Sequence, residues 1–197
     1  MRHAMHPQEK TNALTRELKL QFSLLGSLVA TMWTVELLDQ LVFSGQLNSF
    51  GIIPRTSVGL RGIAFAPFLH LNFAHLIGNT IPFLVLGWLI MLRETSDFIW
   101  VTLVVGLTSG LGTWVFGSPG THIGASGVVF GYLGYLLLRG VFERRLGSIC
   151  LSLFVGVIYG SLIWGILPLH RGISWEGHLF GFLGGVLAAR LFSSRRT

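Results

Sequence analysis

Three clusters of polar residues in this sequence carry the side-chain types that acyl transfer requires. They are His70 with His75 and Asn79, then Gly124-Ala125-Ser126-Gly127 after His122, and finally Gly177-His178. A serine and an imidazole within hydrogen-bond reach make a nucleophile and its general base, which points to Ser126 and His178. His75 and Asn79 are four residues apart, so on a helix they share one face and can donate to the same developing oxyanion.

Each cluster also has a simpler explanation. A glycine-serine pair in a membrane helix commonly serves packing, and an intramembrane histidine commonly bonds a neighbouring helix. The His70 and His75 pair could bind a metal, but a spacing of five residues does not align two ligands on one helical face. Residues 62–92 around them hold no Cys, Asp or Glu, so the sequence predicts no metal there. The catalytic interpretation therefore depends on the three clusters acting together.

The composition places these clusters in a membrane. The 197 residues are 51% hydrophobic and 11% charged, whereas soluble domains are about 25% charged. These values exclude a soluble enzyme and a disordered linker, and the single Cys150 excludes a disulfide scaffold. The pI of about 10.5 comes from basic residues scattered over the ends of apolar runs, which is not the pattern of a nucleic-acid-binding surface. The polar first twenty residues lack the apolar run of a signal peptide.

Six apolar segments are long enough to cross a bilayer, which needs about 20 residues for each helix. They cover approximately residues 20–43, 62–92, 98–117, 120–138, 147–167 and 173–192. The turn Gly117-Ser118-Pro119-Gly120 separates the third helix from the fourth. The sequence therefore predicts an all-α, six-helix membrane domain over residues 20–192. Short tails at residues 1–19 and 193–197 flank it.

The placement of basic residues predicts the orientation of the chain. With six spans, eleven of the 14 Lys and Arg residues share the side of the two termini: Arg2, Lys10, Arg16, Lys19, Arg93, Arg139, Arg144, Arg145, Arg190, Arg195 and Arg196. Three lie on the other side: Arg55, Arg61 and Arg171. By the positive-inside rule both termini are cytoplasmic. The apolar connection at residues 44–66 is then on the non-cytoplasmic side, and we expect it to lie in the membrane interface.

This topology brings the three polar clusters to one end of the bundle, because the even-numbered helices all run inward from the non-cytoplasmic side. Gly127 and Gly131 are four residues apart, and so are Gly177, Gly181 and Gly185. Small residues at this spacing let membrane helices approach closely, which predicts a glycine seam between the fourth and sixth helices. Ser126 would also lie at a helix N-terminus, where the helix dipole favours negative charge.

Together these stretches resemble the rhomboid intramembrane serine proteases. The resemblance covers essentially residues 20–192, with the segments in the expected order and on the expected helices. The matching segments are Pro67-Phe68-Leu69-His70, His75-Leu76-Ile77-Gly78-Asn79, His122 to Gly127, Gly177-His178-Leu179-Phe180-Gly181 with Gly185, and Gly51-Ile52-Ile53-Pro54-Arg55-Thr56 in the first loop. The Trp-Arg pair that some members carry in that loop is not evident here.

The resemblance implies a role for each site residue. Ser126 is the nucleophile and His178 the general base and acid, while the Ser126 N–H, His75 and Asn79 form the oxyanion hole. Phe130 stacks on His178, and Gly124, Gly127, Gly181 and Gly185 support the site. The implied substrates are single-span membrane proteins, cut near the outer face at small residues in unstable helices. The implied form is the basic six-helix type of the bacterial plasma membrane, with no cofactor and no metal.

Two other functions compete with this interpretation. A rhomboid-like protein without protease activity could bind membrane clients, although the presence of both Ser126 and His178 argues against it. A small transporter is disfavoured because the last five predicted spans hold one acidic residue, Glu176. Glu176 lies two positions before His178, which turns it roughly 200° away on a helix. We expect Glu36 and Asp39 to brace the first loop or to face interfacial water, so that no carboxylate completes a triad.

Overall fold

A computed structural model of the protein describes residues 7–169 and 172–193. The predicted tail residues 1–6 and 194–197 lie outside the described residues, as does Arg171. The α-helices are α1 (Pro7–Leu41), α2 (Gly62–Phe65), α3 (Phe73–Met91), α4 (Thr95–Phe116), α5 (Ser126–Glu143), α6 (Leu146–Tyr159) and α7 (Trp175–Ser193). Turns of 3₁₀ helix cover Gln46–Phe50, Val58–Arg61, Ala66–Phe68 and Gly160–Ile166.

The prediction of an all-helical membrane bundle is confirmed, with six long helices and the short α2 in the described part of the chain. Within that part, four segments are long and apolar enough to cross a membrane by length and composition: Thr11–Leu41, Phe73–Met91, Thr95–Phe116 and Leu146–Ile166. The other two long helices, α5 and α7, are glycine-rich and pack against each other. The side of the membrane on which the termini lie stays a prediction.

Helix α5 is the central element of the bundle. It packs against α3, α4, α6 and α7, and its Tyr132, Leu133 and Leu136 are fully buried. The Tyr132 hydroxyl satisfies its hydrogen bonding with Thr102 of α4 at 2.7 Å. By contrast α6 has one buried residue, Val155, so most of its surface faces outward. Ser126, the first residue of α5, therefore projects from a helix that four other helices hold in place.

The predicted glycine seam joins α5 to α7. A Cβ atom built on Gly181 would lie 2.0 Å from the carbonyl oxygen of Gly127, and one on Gly185 would lie 1.9 Å from that of Gly131. Real Cβ atoms do not come this close, so only glycine permits this separation of the two backbones. The seam fixes the distance between the beginnings of α5 and α7, where Ser126 and His178 lie.

The second long helix, predicted within residues 62–92 and with His70 on it, begins later than expected. The chain forms α2 and a 3₁₀ turn, then becomes extended, and α3 begins only at Phe73. Asn72 causes the restart, because its extended backbone (φ −168°) lets its side chain accept the N–H of His75 at 2.9 Å. Such a cap competes with continuation of a preceding helix. His70 consequently precedes α3 and does not share the helical face of His75 and Asn79.

Two other boundaries differ from the prediction. Helix α1 begins at Pro7 instead of near Leu20, since the polar residues before Leu20 are mostly good helix formers. The fifth long helix keeps α geometry only to Tyr159 and continues as 3₁₀ helix over Gly160–Ile166. That change of pitch brings backbone carbonyl groups of the 3₁₀ segment toward α7.

The carboxylates at the end of α1 are both buried, at 1% exposure, so of the two expected roles, bracing the first loop or facing interfacial water, the second does not apply. Asp39 does brace the first loop, because its Oδ1 accepts the N–H of Leu47 at 2.8 Å. Glu36 accepts a hydrogen bond from the Gln40 amide at 3.0 Å. Neither side chain forms a hydrogen bond with His178.

Candidate active site

The two residues proposed from the sequence as nucleophile and base are in contact. Ser126 is the first residue of α5, and His178 lies in the first turn of α7. The Ser126 Oγ and the His178 Nε2 are 2.7 Å apart, which is a hydrogen bond. The glycine seam between α5 and α7 sets this distance, because each side chain projects from the end of a helix that the seam locks.

A backbone carbonyl fixes which nitrogen of His178 carries the proton. The His178 Nδ1 lies 2.9 Å from the carbonyl oxygen of Gly165 in the 3₁₀ segment. A carbonyl only accepts, so Nδ1 must be the protonated nitrogen of the neutral ring. The Nε2 is then an acceptor, and the Ser126 hydroxyl donates to it. This tautomer is the one that a general base needs to remove a proton from serine.

Phe130 holds the plane of the His178 ring. It lies one turn after Ser126 on α5, and the two rings are stacked with centroids 4.0 Å apart and an interplanar angle of 5°. Phe130 is 5% exposed, so its own position is fixed by the core.

His75 and Asn79 lie one turn apart on α3 and present donors beside Ser126. The Nδ1 of His75 faces the N–H of Leu71 at 3.4 Å and must therefore accept, which leaves the proton on Nε2. The Asn79 Nδ2 donates one proton to the His75 carbonyl at 2.9 Å and keeps a second. Both side chains line the same cavity as Ser126 and His178.

Gly124 makes room for the His75 ring. Its φ of +114° is a conformation that side-chain-bearing residues rarely adopt, and a Cβ there would lie 2.9 Å from the His75 Nε2. The Gly124 N–H donates to the carbonyl of Ala66 at 2.9 Å, which ties the serine segment to the chain before α3. Gly127 is also closely packed, because a Cβ there would lie 2.2 Å from the Ser109 Oγ and 3.2 Å from the Gly177 carbonyl oxygen.

A second polar network links the loops on either side of the site. The His122 Nε2 faces the Ser118 carbonyl at 2.9 Å and so donates, while its Nδ1 accepts from the Ser174 hydroxyl at 2.6 Å. The Glu176 Oε1 accepts the Ser118 N–H at 2.7 Å. These bonds connect the segment before α5 with the segment before α7. Sequence reasoning named His122 only as a neighbour of the serine motif and did not predict this link.

The first loop closes the site from another side. An isolated antiparallel bridge pairs Ile52 with His122, and both of its backbone hydrogen bonds are 2.9 Å long. Gly51 must be glycine here, because a Cβ would lie 2.7 Å from the His122 carbonyl oxygen. The Gly51-Ile52 part of the first loop is therefore attached to the serine segment through its backbone.

A cavity of about 650 Å³ opens beside the Ser126–His178 pair. Ser126, His178, His75 and Asn79 are among the polar side chains that line it, and its apolar wall includes Phe130, Val129 and Leu162. A cavity of this size and polarity can hold water together with part of an extended peptide. Within the described residues no three His, Cys, Asp or Glu side chains are grouped so as to hold a metal ion.

His70 does not line the cavity and contacts the site only by packing against the His75 ring. Its ring is fully buried and meets the His75 ring edge-on, with centroids 5.2 Å apart and an angle of 67°. Burial, with a smaller contribution from repulsion by His75, lowers the pKa of His70 to about 4. His70 is therefore neutral near pH 7 and packs against His75 without lining the cavity.

For the serine-protease chemistry that the sequence resemblance implies, we predict that Glu176→Gln leaves the rate of peptide cleavage within about tenfold of the wild type. The Glu176 carboxylate is bonded to the Ser118 N–H and not to His178, and a glutamine oxygen can keep that bond. Loss of an acid that orients the base costs about 10⁴-fold in kcat in a Ser-His-Asp protease. The measurement is kcat in detergent, with thermal unfolding as the check on folding. Glu36→Gln and Asp39→Asn are parallel cases, and a folded variant that loses a thousandfold would identify a missing triad acid.

Comparison with known proteins gives matches over most of the chain. The family model of the Rhomboid domain matches residues 57–195. An uncharacterized protein of Mycobacterium tuberculosis is 45% identical over 175 residues, which are 84% of this chain and 72% of that protein. An uncharacterized protein of Mycobacterium leprae is 43% identical over 199 residues, 95% of this chain and 77% of that protein. The rhomboid protease GluP of Bacillus subtilis is 31% identical over 128 residues, 61% of this chain and 24% of that protein.

Proposed function

The chain belongs to the rhomboid family, and we propose that it is an intramembrane serine endopeptidase with Ser126 as nucleophile and His178 as general base. The observation that carries this proposal is the 2.7 Å contact between the Ser126 Oγ and the His178 Nε2. It is supported by the Gly165 carbonyl, whose bond to Nδ1 selects the basic tautomer.

In the proposed reaction the Ser126 Oγ attacks the carbonyl carbon of the scissile peptide bond while His178 takes the hydroxyl proton. The tetrahedral intermediate collapses when the protonated His178 gives that proton to the leaving amine, and the C–N bond breaks. Water then attacks the acyl-enzyme while His178 accepts one of its protons. The bond from the acyl carbon to the Ser126 Oγ breaks as His178 returns that proton to the Oγ, and the second product leaves as a carboxylic acid. Water for this step can come from the cavity beside the pair.

The oxyanion of the tetrahedral intermediate would bind where three donors converge. The backbone N–H of Ser126 is one of the first-turn groups that a helix leaves unpaired, and the dipole of α5 adds to its attraction for negative charge. The His75 Nε2–H and the second amide proton of Asn79 are the other two. Donors that are positioned in advance need no reorganisation when charge develops.

We predict that His75→Ala and Asn79→Ala each lower kcat by up to ~10²–10³, the range for a lost oxyanion donor. Their effects are smaller if the two share the role, and then the double variant loses more than either single one. KM should change little, because the lost interaction forms mainly in the transition state. Thr80→Ala, one position along α3 and bonded to the backbone and Trp33, is a matched control. A rise in KM with an unchanged kcat would contradict the oxyanion assignment.

We further propose that substrates are single-span membrane proteins, cut at small residues near the outer face of a bacterial plasma membrane. The site lies at one end of the bundle, at the beginnings of α3, α5 and α7, so it is close to one membrane surface. The excess of basic residues at the opposite end makes that end cytoplasmic. In the proposed topology both termini lie in the cytoplasm and the site lies near the outer face of the membrane.

The experiment that tests the function is incubation of purified protein in detergent with a panel of single-span membrane proteins. Cleavage by the wild type and none by Ser126→Ala supports the proposal. Binding of the same panel without cleavage by the wild type contradicts it and favours a non-proteolytic member of the family.

A further inference from the structure

A basic groove lies at the end of the bundle opposite to Ser126. It has a volume of about 500 Å³ and is formed by the turn after α3, the end of α5 and the beginning of α6. Two arginines, Arg93 and Arg139, line it together with Ser148 and the apolar side chains of Leu92, Leu151 and Phe154. None of these residues lines the catalytic cavity.

The charges in the basic groove do not cancel. Glu143 holds both guanidinium groups, through a short hydrogen bond from Arg93 and one of 3.1 Å from the Arg139 Nε, and it also accepts the Ser148 hydroxyl. One carboxylate against two guanidiniums leaves a net charge of +1 at the groove. Each guanidinium has five N–H donors, and only one nitrogen of each bonds to Glu143, so further donors remain for an anion.

The other half of the groove is apolar and faces outward. Phe154 is 53% exposed and Leu92 is 54% exposed, and within the described residues α6 packs mainly against α5 and the 3₁₀ segment that follows it. A surface of this kind on a membrane protein contacts acyl chains. The groove therefore has a cationic end, at Arg93 and Arg139, next to an apolar wall.

The depth of the groove suits a lipid headgroup. Helix α3 has 19 residues, which at about 1.5 Å each is roughly 28 Å, close to the ~30 Å hydrocarbon thickness of a bilayer. Arg93 follows its last residue by two positions. It should therefore lie where the phosphates of one leaflet begin.

We propose that the basic groove binds the phosphate of an anionic phospholipid, with an acyl chain against Leu151 and Phe154. Arg93 and Arg139 contribute hydrogen bonds and charge to the phosphate, and the apolar wall distinguishes a lipid from a free anion. Basic pockets between membrane helices on the cytoplasmic side are a recognised way to bind anionic headgroups. The site is independent of the proposed protease activity, because it shares no residue with the catalytic cavity.

The single cysteine of the chain offers a direct probe. Cys150 lines the basic groove and is exposed, so a bimane fluorophore attached there reports on the lipid beside it. The labelled protein is placed in phosphatidylcholine nanodiscs that contain an equal fraction of dibrominated phosphatidylglycerol or dibrominated phosphatidylcholine. Bromine quenches bimane on contact. We expect the phosphatidylglycerol chains to quench with an apparent affinity about fivefold higher or more.

Arg93→Gln should lower the ratio of the two apparent affinities about fivefold. This is the equivalent of about 1 kcal/mol for one basic residue at a membrane surface. Arg93→Lys should keep most of it. Arg190→Gln removes an exposed cation from the end of α7, outside the groove, and should leave the preference unchanged. Thermal unfolding of each variant checks folding. Arg93 is chosen because its side chain is partly exposed, whereas replacing the buried Arg139 would leave Glu143 without a buried partner and could unfold the protein.

Three results would overturn the proposal. They are equal quenching by the two lipids in the wild type, an unchanged preference in a folded Arg93→Gln variant, or loss of the preference in about 10 mM inorganic phosphate. The last result would assign the groove to a soluble anion. A lipid preference that survives phosphate and depends on Arg93 supports the site.

Discussion

Ser126→Ala is expected to abolish cleavage, and His178→Ala is expected to have the same effect. The Ser126 Oγ is the atom that would form the acyl-enzyme, and the His178 Nε2 at 2.7 Å is the base that would activate it. Loss of the serine or of the histidine in a serine protease lowers kcat by about 10⁶-fold. Because both residues serve the same covalent step, the double variant should be no worse than either single one. The measurement is single-turnover cleavage of a single-span substrate in detergent.

The bundle itself should survive both substitutions. Alanine is a good helix former, and neither change introduces a clash or a charge. Thermal unfolding should stay close to that of the wild type. A serine-directed fluorophosphonate should label the wild type and miss Ser126→Ala, while Ser152→Ala, on α6 and remote from the site, should be labelled normally. Equal labelling of the wild type and Ser126→Ala would show that another residue reacts, which would refute the assignment of the nucleophile.

The long-range pairing of Ser126 with His178 could be predicted from the sequence because two simple patterns coincide. Apolar segments of membrane length set the direction of each helix, and that direction brings the serine and histidine motifs to one end. Glycines at four-residue spacing then predict a close approach of α5 and α7. The contact of Gly181 with the Gly127 carbonyl is the physical form of that pattern.

The group that orients His178 could not be predicted in the same way. It is the backbone carbonyl of Gly165, and every residue has a carbonyl, so no side-chain pattern marks it. The sequence indicated only packing against Phe130 and a tight helix. The carbonyl becomes available because the fifth long helix changes to 3₁₀ geometry at Gly160, a local change that apolar periodicity does not reveal.

The start of α3 was not predicted correctly, for a different reason. A continuous apolar run from Gly62 to Leu92 reads as one helix, because hydropathy does not register a polar cap in its middle. Asn72 ends that continuity by accepting the His75 N–H. The interruption places His70 in the extended segment before α3, where its ring packs edge-on against the His75 ring. The asparagine was the available signal.

Gly181→Ala is expected to lower kcat about a hundredfold although no reacting atom changes. Its Cβ would lie 2.0 Å from the Gly127 carbonyl oxygen and 2.9 Å from its carbon. Both are backbone atoms, so no side chain can rotate away and the helices must separate. An increase of roughly 1 Å between the start of α7 and the start of α5 lengthens the Ser126–His178 contact, and a misplacement of that size costs on the order of 10²-fold. Gly181→Leu should lose still more.

Two matched variants separate misplacement of the dyad from general destabilisation. Gly185→Ala makes a similar clash, with its Cβ 1.9 Å from the Gly131 carbonyl oxygen, but one turn farther from Ser126. It should lower the unfolding temperature about as much as Gly181→Ala while lowering kcat less. Gly26→Ala on α1, where a Cβ meets nothing within 4 Å, should keep full activity and gain about 0.5–1 kcal/mol of helix stability. If kcat falls equally in Gly181→Ala and Gly185→Ala, the seam acts on folding alone. If Gly181→Ala keeps near-normal activity, Gly181 does not set the distance between serine and histidine.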